Sequence, residues 1–183
     1  MKNKKIFLCG FMTSGKSTIG PILANVLGWK FYDLDKAIEA QEGKPVVKIF
    51  EERGEEYFRS LERKTLKETA TEDRVVIALG GGTIAGEENL KFVKNIGMLV
   101  YLKTSREMIY KRIRNKIDRP AFRDFVLEGK SEEEFSAKIE AMLSKREPFY
   151  LTADLVMDTD KSRVGITVDV LAKKIRGMIN EKD

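Results

Sequence analysis

The sequence predicts an α/β fold built on a parallel sheet, and two observations carry that expectation. Short β-branched or apolar runs alternate with longer segments of helical period along the chain. The first of those runs leads into a glycine-containing loop that opens directly onto a helix, the setting in which α/β domains hold phosphate. With 183 residues, 42% of them hydrophobic, the chain suits a single domain over residues 1–183 that buries a core without disulfides or structural metals.

Taken in order, the strands are expected at Lys5–Cys9, Lys30–Tyr32, Val75–Leu79, Met98–Leu102 and Leu155–Met157. Between the first two, Ile19, Ile22, Leu23, Val26 and Leu27 form one apolar stripe at helical spacing, and Gly28 is placed to end that helix. Pro21 lies inside it, beyond the first turn where proline is harmless, so a local distortion is expected there. Ile109–Ile113 reads as helix. Phe135, Ile139, Met142 and Leu143 mark another helix, and Leu171, Ile175, Met178 and Ile179 mark the last; both stripes suit core packing. Arg114–Leu127 is polar, basic, broken by Pro120 and without a clear period, so a mobile loop is expected there.

Composition excludes several kinds of chemistry. There is no histidine and only one cysteine, Cys9, so Ser-His and Cys-His nucleophiles, histidine zinc sites and intramolecular disulfides are all ruled out. Cys9 reads as a small hydrophobe closing a strand. Proton handling falls to carboxylates or water. The net charge of +5 comes from 34 basic residues against 29 acidic ones. They are interleaved, so anionic small substrates fit the excess better than nucleic acid. The apolar runs are too short to cross a membrane, and the N-terminus lacks the pattern of an export signal. The cytoplasm is the expected compartment.

Gly10-Phe11-Met12-Thr13-Ser14-Gly15-Lys16-Ser17 matches G-x-x-x-x-G-K-[ST] in full, after an apolar strand and before a periodic helix. Successive backbone N–H groups can wrap phosphate oxygens, and the helix adds its free N-terminal donors and positive dipole end. Lys16 is then expected to reach the β- and γ-phosphates, and Ser17 Oγ to ligate Mg²⁺. Asn115-Lys116-Ile117-Asp118 imitates the guanine-selecting N-K-x-D of a GTP switch. That motif should leave a buried strand, whereas here it follows a helix, and no D-x-x-G element accompanies it.

Asp33-Leu34-Asp35 sits at the carboxyl end of the second strand, where ligands of open α/β sheets collect. By itself the pair reads equally as a helix N-cap or as catalytic carboxylates. Four further motifs follow: Gly54-Glu55-Glu56-Tyr57-Phe58-Arg59-Ser60-Leu61-Glu62, Gly80-Gly81-Gly82, Asp118-Arg119-Pro120 and Arg146-Glu147-Pro148-Phe149-Tyr150. The ordered set resembles the shikimate kinases, from about Ile6 to the last helix. The resemblance implies a three-layer P-loop kinase fold with a five-stranded parallel sheet in the order 2-3-1-4-5, flanked by helices. It also implies a substrate-binding helical region at about 33–62, a lid at about 114–127, ATP and shikimate as substrates, and Mg²⁺ as cofactor. A monomer is expected.

Carried over residue by residue, the resemblance makes Gly10, Thr13, Ser14, Gly15, Lys16, Ser17 and Thr18 the ATP-binding loop. Arg112 and Met157–Asp160 would flank adenine. Ser17 and Asp33 would stand on the Mg²⁺ side. Asp35 would bind the acceptor hydroxyls and serve as general base, Gly80, Gly81 and Gly82 would offer backbone to the acceptor, and Arg119 would close over the phosphates. Arg59, oriented by Glu62, and Arg146 resemble the arginines that grip the acceptor carboxylate, a task suited to the guanidinium fork. Thr13 stands where the family often has glycine, and Pro21 where a basic residue is frequent. A gluconate kinase or a nucleoside monophosphate kinase would share the loop and the lid but need other acceptor contacts, and a non-catalytic nucleotide binder would have no use for Asp35 and Arg119 together.

Overall fold

Both faces of the first strand must be covered, because Ile6, Phe7, Leu8 and Cys9 are all fully buried, and a strand with two buried faces belongs inside a parallel sheet. In the computed structural model, which describes residues 4–180, that strand is β1 (Lys5–Cys9). With β2 (Lys30–Asp33), β3 (Val75–Ala78), β4 (Met98–Lys103) and β5 (Leu155–Asp158) it forms one sheet in the order β2-β3-β1-β4-β5. Every pairing is parallel, as the sequence predicts. Ile6 and Leu8 face one core cluster with Ile19, Leu23, Leu171 and Ile175. Phe7 and Cys9 face the other, with Leu34, Ile49, Phe58, Leu66 and Val93.

The helices are α1 (Lys16–Leu27), α2 (Leu34–Glu42), α3 (Val46–Thr69), α4 (Glu87–Ile96), α5 (Arg106–Ile113), α6 (Arg123–Leu127), α7 (Glu132–Tyr150) and α8 (Val164–Asn180). Gly28 ends α1 in the left-handed region, as expected of a helix C-cap. Two expectations for α1 need correction. The helix runs unbroken through Pro21, because the ring costs only the bond that would have gone to the Ser17 carbonyl. Ile22 is 41% exposed and does not join the buried stripe. The bend lies instead in α3, at Gly54, whose φ of 79° and ψ of 174° are not helical.

The expected loop 114–127 is only partly irregular. Pro120–Phe122 forms a 3₁₀ turn and Arg123–Leu127 forms α6. Phe122 explains the order: it is fully buried against Phe11, Ile109, Ile113, Phe135, Ile139 and Leu143, a third cluster that ties this segment to α5 and α7. Asn115-Lys116-Ile117-Asp118 is exposed and follows α5, so it lacks the strand context of a guanine-binding motif. Among the described residues, no helix is long and apolar enough to cross a membrane.

Candidate active site

Parallel register brings three strand ends to one level, since Ala78 of β3 pairs with both Leu8 of β1 and Asp33 of β2. The segments that leave those ends are the glycine loop Gly10–Ser17, the pair Asp33 and Asp35, and the triplet Gly80–Gly82. Sequence-distant motifs therefore meet at one edge of the sheet, the edge where open α/β sheets bind ligands.

The glycine loop has the dihedrals that a phosphate cradle requires. Gly10, Thr13 and Gly15 have φ values of 144°, 64° and 98°. A side chain at Gly10 could not be accommodated, because its Cβ would lie 2.5 Å from the Leu102 carbonyl oxygen. Thr13 holds a left-handed conformation that β-branched residues rarely adopt, so the glycine common at this position in the family has a steric reason. The Thr13 carbonyl accepts a 2.8 Å hydrogen bond from Arg112 Nη1, which helps to hold that conformation. Lys16 Nζ donates to the carbonyls of Gly10 and Phe11 at 2.8 and 3.0 Å. Burial pulls its ammonium down to about 8, against the opposing influence of Asp35.

Asp33 is a helix cap that also faces the glycine loop. One carboxylate oxygen caps α2 by accepting from the Lys36 N–H, and the other accepts from Ser17 Oγ at 2.5 Å. A hydroxyl and a carboxylate oxygen so close together beside the glycine loop form a hard-oxygen pair. This fits Mg²⁺, which takes one or two protein oxygens and fills its remaining positions with water and phosphate.

Asp35 sits two residues further on, partly buried. Burial first, and then the charges of Asp33 and Glu62, push its carboxyl up to about 6. Glu62, only 1% exposed, pairs with Arg59 Nη1 at 2.8 Å and accepts from Thr83 Oγ1 at 2.6 Å, while Glu55 holds the other side of the Arg59 guanidinium at 3.1 Å. Arg59 is thus aimed from two directions. Glu62 follows from helical spacing, but Thr83 carries no local sequence signal and was missed.

Two clefts open at this edge. One, of about 440 Å³, is lined by the loop from Met12 to Ile19 with Asp33, Arg112, Arg119 and Thr159. The other, of about 470 Å³, is lined by Arg59, Glu62, Gly80, Gly81, Gly82 and Arg146, with Val46, Phe50 and Phe58 as an apolar wall. They share Met12, Asp35, Gly81 and Arg119. Arg123 of α6 forms an ion pair with Glu51 of α3, so the 114–127 segment bridges the mouth of the second cleft. The apolar wall was not anticipated, because Val46, Phe50 and Phe58 look like ordinary core residues in sequence.

The glycine triplet is narrow for a visible reason. A Cβ on Gly82 would lie 2.6 Å from Arg59 Nη2, and one on Gly80 would lie 2.8 Å from Glu62 Oε1 and 2.9 Å from Asp35 Oδ1. Gly82→Ala is therefore expected to fold, since a guanidinium can swing aside, but to raise KM for the acceptor at least roughly tenfold by displacing a charged contact. Steady-state kinetics beside a melting curve checks this.

The two displaced pKa values also set a pH dependence. A base at Asp35 works only when ionised, so activity should fall as pH drops through about 6. A phosphate-binding ammonium at Lys16 works only when protonated, so activity should fall as pH rises through about 8. A bell-shaped kcat/KM profile is expected, because kcat/KM reports the free enzyme. Asp35→Glu or Lys16→Arg should move only the limb that belongs to the altered group.

A phosphate loop and a separate acceptor cleft that share one carboxylate and one arginine define a phosphotransferase of the P-loop kinase class. Comparison with known proteins agrees and goes further. The family model for shikimate kinase matches residues 12–176. A shikimate kinase from Chlorobium luteolum is 47% identical over 96% of this chain and 87% of its own length. A shikimate kinase from Acinetobacter baumannii, solved in complex with shikimate, superposes with a TM-score of 0.83 at 32% identity, covering 99% of this chain and 95% of that one. A gluconokinase from Sinorhizobium meliloti has a TM-score of 0.59 at 15% identity, covering 100% of this chain and 99% of its own, and shares the fold alone. The chain belongs to the shikimate kinase family.

Proposed function

We infer that this chain transfers the γ-phosphoryl group of ATP to a ring hydroxyl of shikimate, giving shikimate 3-phosphate for chorismate and aromatic amino acid biosynthesis. The observation that carries the reading is the meeting of two clefts at Asp35, Gly81, Met12 and Arg119. One cleft suits a triphosphate and the other a small polar acid with one apolar face.

The residues divide the work accordingly. Gly10, Thr13, Ser14, Gly15, Lys16, Ser17 and Thr18 hold the phosphates, and Arg112 lies towards the base. Ser17 and Asp33 would hold Mg²⁺, which when bound offsets the phosphate charge. In the second cleft Arg59 and Arg146 take the acceptor carboxylate, and the backbone of Gly80–Gly82 takes acceptor oxygens. Asp35 accepts the hydroxyl proton as that oxygen bonds to the γ-phosphorus and the bond to the bridging oxygen of ADP breaks. Its raised pKa suits this task better than an ordinary aspartate. Arg119, common to both clefts, stabilises charge on the transferring group, and the 114–127 segment acts as a lid over it while the 33–62 region binds the acceptor. Both clefts are complete within one chain, which supports a monomer, and dependence on ATP favours the cytoplasm.

The test is a coupled assay of ADP release run in parallel with shikimate, gluconate, AMP and no acceptor. Release that depends on shikimate alone is expected. Equal release with gluconate would overturn the acceptor assignment and leave only the kinase class.

A further inference from the structure

The acceptor wall depends on a peptide that its own sequence leaves free to turn. Gly80–Thr83 is a tight turn closed by a 3.2 Å bond from the Thr83 N–H to the Gly80 carbonyl, so Gly81 and Gly82 are its central residues. Type I and type II turns differ mainly by a flip of the central peptide, and glycine at the third position permits both. Gly82 is not among the positive-φ glycines, so the type II form is not the one adopted. Glycine is needed here to make room for Arg59, and that same choice removes the usual steric control over the peptide.

Tyr150 supplies the missing control. It ends α7, is fully buried, and its hydroxyl donates to the Gly81 carbonyl. Its ring packs against Tyr101 of β4 with centroids 5.1 Å apart. Burial pushes its phenol well above the usual range, although Arg146 lies near enough to oppose this, so the group stays a neutral donor. In a trans peptide the carbonyl and the following N–H point in opposite directions. With the Gly81 oxygen drawn to the buried Tyr150 hydroxyl, the Gly82 N–H is directed the opposite way, from a residue that lines the cleft beside Arg59. No protein acceptor takes either the Gly81 or the Gly82 N–H among the described residues.

We propose that Tyr150 is a positioning residue for the acceptor: its hydroxyl locks the Gly81–Gly82 peptide so that the Gly82 N–H faces the acceptor as a donor next to Arg59. In the flipped peptide a carbonyl oxygen would face the acceptor carboxylate and repel it. The inference rests on the reading of shikimate as acceptor, and the two fail separately. If the wild type does not turn over shikimate, the acceptor reading fails first, whatever Tyr150 does.

The experiment compares wild type, Tyr150→Phe and Tyr101→Phe, measuring KM for shikimate, KM for ATP, kcat and melting temperature. Tyr101 belongs to the same aromatic pair, but its hydroxyl donates to Glu147 at 3.3 Å and does not touch the turn. Tyr150→Phe is expected to raise KM for shikimate roughly tenfold, with kcat and KM for ATP changed by less than about threefold. Tyr101→Phe should leave KM for shikimate within about twofold of wild type. An unchanged KM for shikimate in Tyr150→Phe would overturn the proposal. So would an equal rise in Tyr101→Phe, which would assign the effect to packing of the pair, or a parallel loss of ATP affinity.

Discussion

Asp35→Asn is expected to lower kcat with shikimate by roughly 10²–10⁴-fold, the range for loss of a general base, while making the protein more stable. The two effects share one cause. Asp35 is held where burial and the charges of Asp33 and Glu62 push its carboxyl up to about 6, so its ionised form is unfavourable in the folded chain. A carboxyl whose folded pKa lies above its unfolded one costs stability as pH rises between the two, and the whole cost is present at pH 7. Asparagine keeps the shape and removes the charge, recovering on the order of 2 kcal/mol, or about 5 °C in melting temperature. The gain should shrink as pH falls from about 6 and vanish only below the ordinary aspartate value of 3.8, where the carboxyl is protonated in both the folded and the unfolded chain. Because the role proposed for Asp35 is towards the acceptor hydroxyl and not the phosphates, KM for ATP should change little. A variant that loses activity and melts lower would mean a structural role, contrary to this account.

Lys16→Ala is expected to cost at least roughly 10³-fold in kcat, because the ammonium meets charge that develops on the transferring group in a partly water-excluded cleft. On stability two effects oppose each other: burial makes the Lys16 ammonium unfavourable in the folded chain at pH 7, while its hydrogen bonds favour it. The buried ammonium donates to the Gly10 and Phe11 carbonyls, and alanine leaves both without that donor, a loss of about 1–3 kcal/mol. At pH 7 both turnovers should therefore collapse, while a clear rise in melting temperature is expected of Asp35→Asn alone, because in Lys16→Ala the relieved burial of charge and the lost hydrogen bonds offset each other. Lys16→Met keeps the length of the side chain without the charge and separates loss of packing from loss of the cation.

Much of the fold was legible because it is written in local pattern. The apolar run Ile6–Cys9 of β1 requires two covered faces, and Gly28 marks the end of α1 by the left-handed conformation it supplies. Pro21 misled, because one missing N–H on an exposed helix face is a smaller disturbance than a break. The second half of the 114–127 segment misled for the opposite reason: its polar composition hid Phe122, a single side chain buried where the 3₁₀ turn and α6 form.

At the site, the residues with chemistry of their own were legible, and those that act by placement were not. Lys16, Asp35, Arg59 and Arg146, which family motifs single out, all line the two clefts and carry the groups that the proposed reaction would use. Thr83, Val46, Phe50 and the Tyr150 hydroxyl act through neighbours that only the folded chain brings near. Glu62 lies between these cases, legible as a helical partner of Arg59 but not as the buried carboxylate that also anchors Thr83.

The most direct measurement of the central claim is kcat/KM for shikimate and for its methyl ester in the wild type, Arg59→Lys and Arg146→Ala. If Arg59 and Arg146 read the carboxylate, the wild type should prefer the acid by roughly 10²-fold or more, since charge-assisted hydrogen bonds are worth about 1.5–3 kcal/mol each. Both variants should lose most of that preference, including the lysine, which keeps the charge but not the fork. If the wild type phosphorylates the ester almost as well as the acid, no carboxylate clamp exists and the acceptor assignment is contradicted.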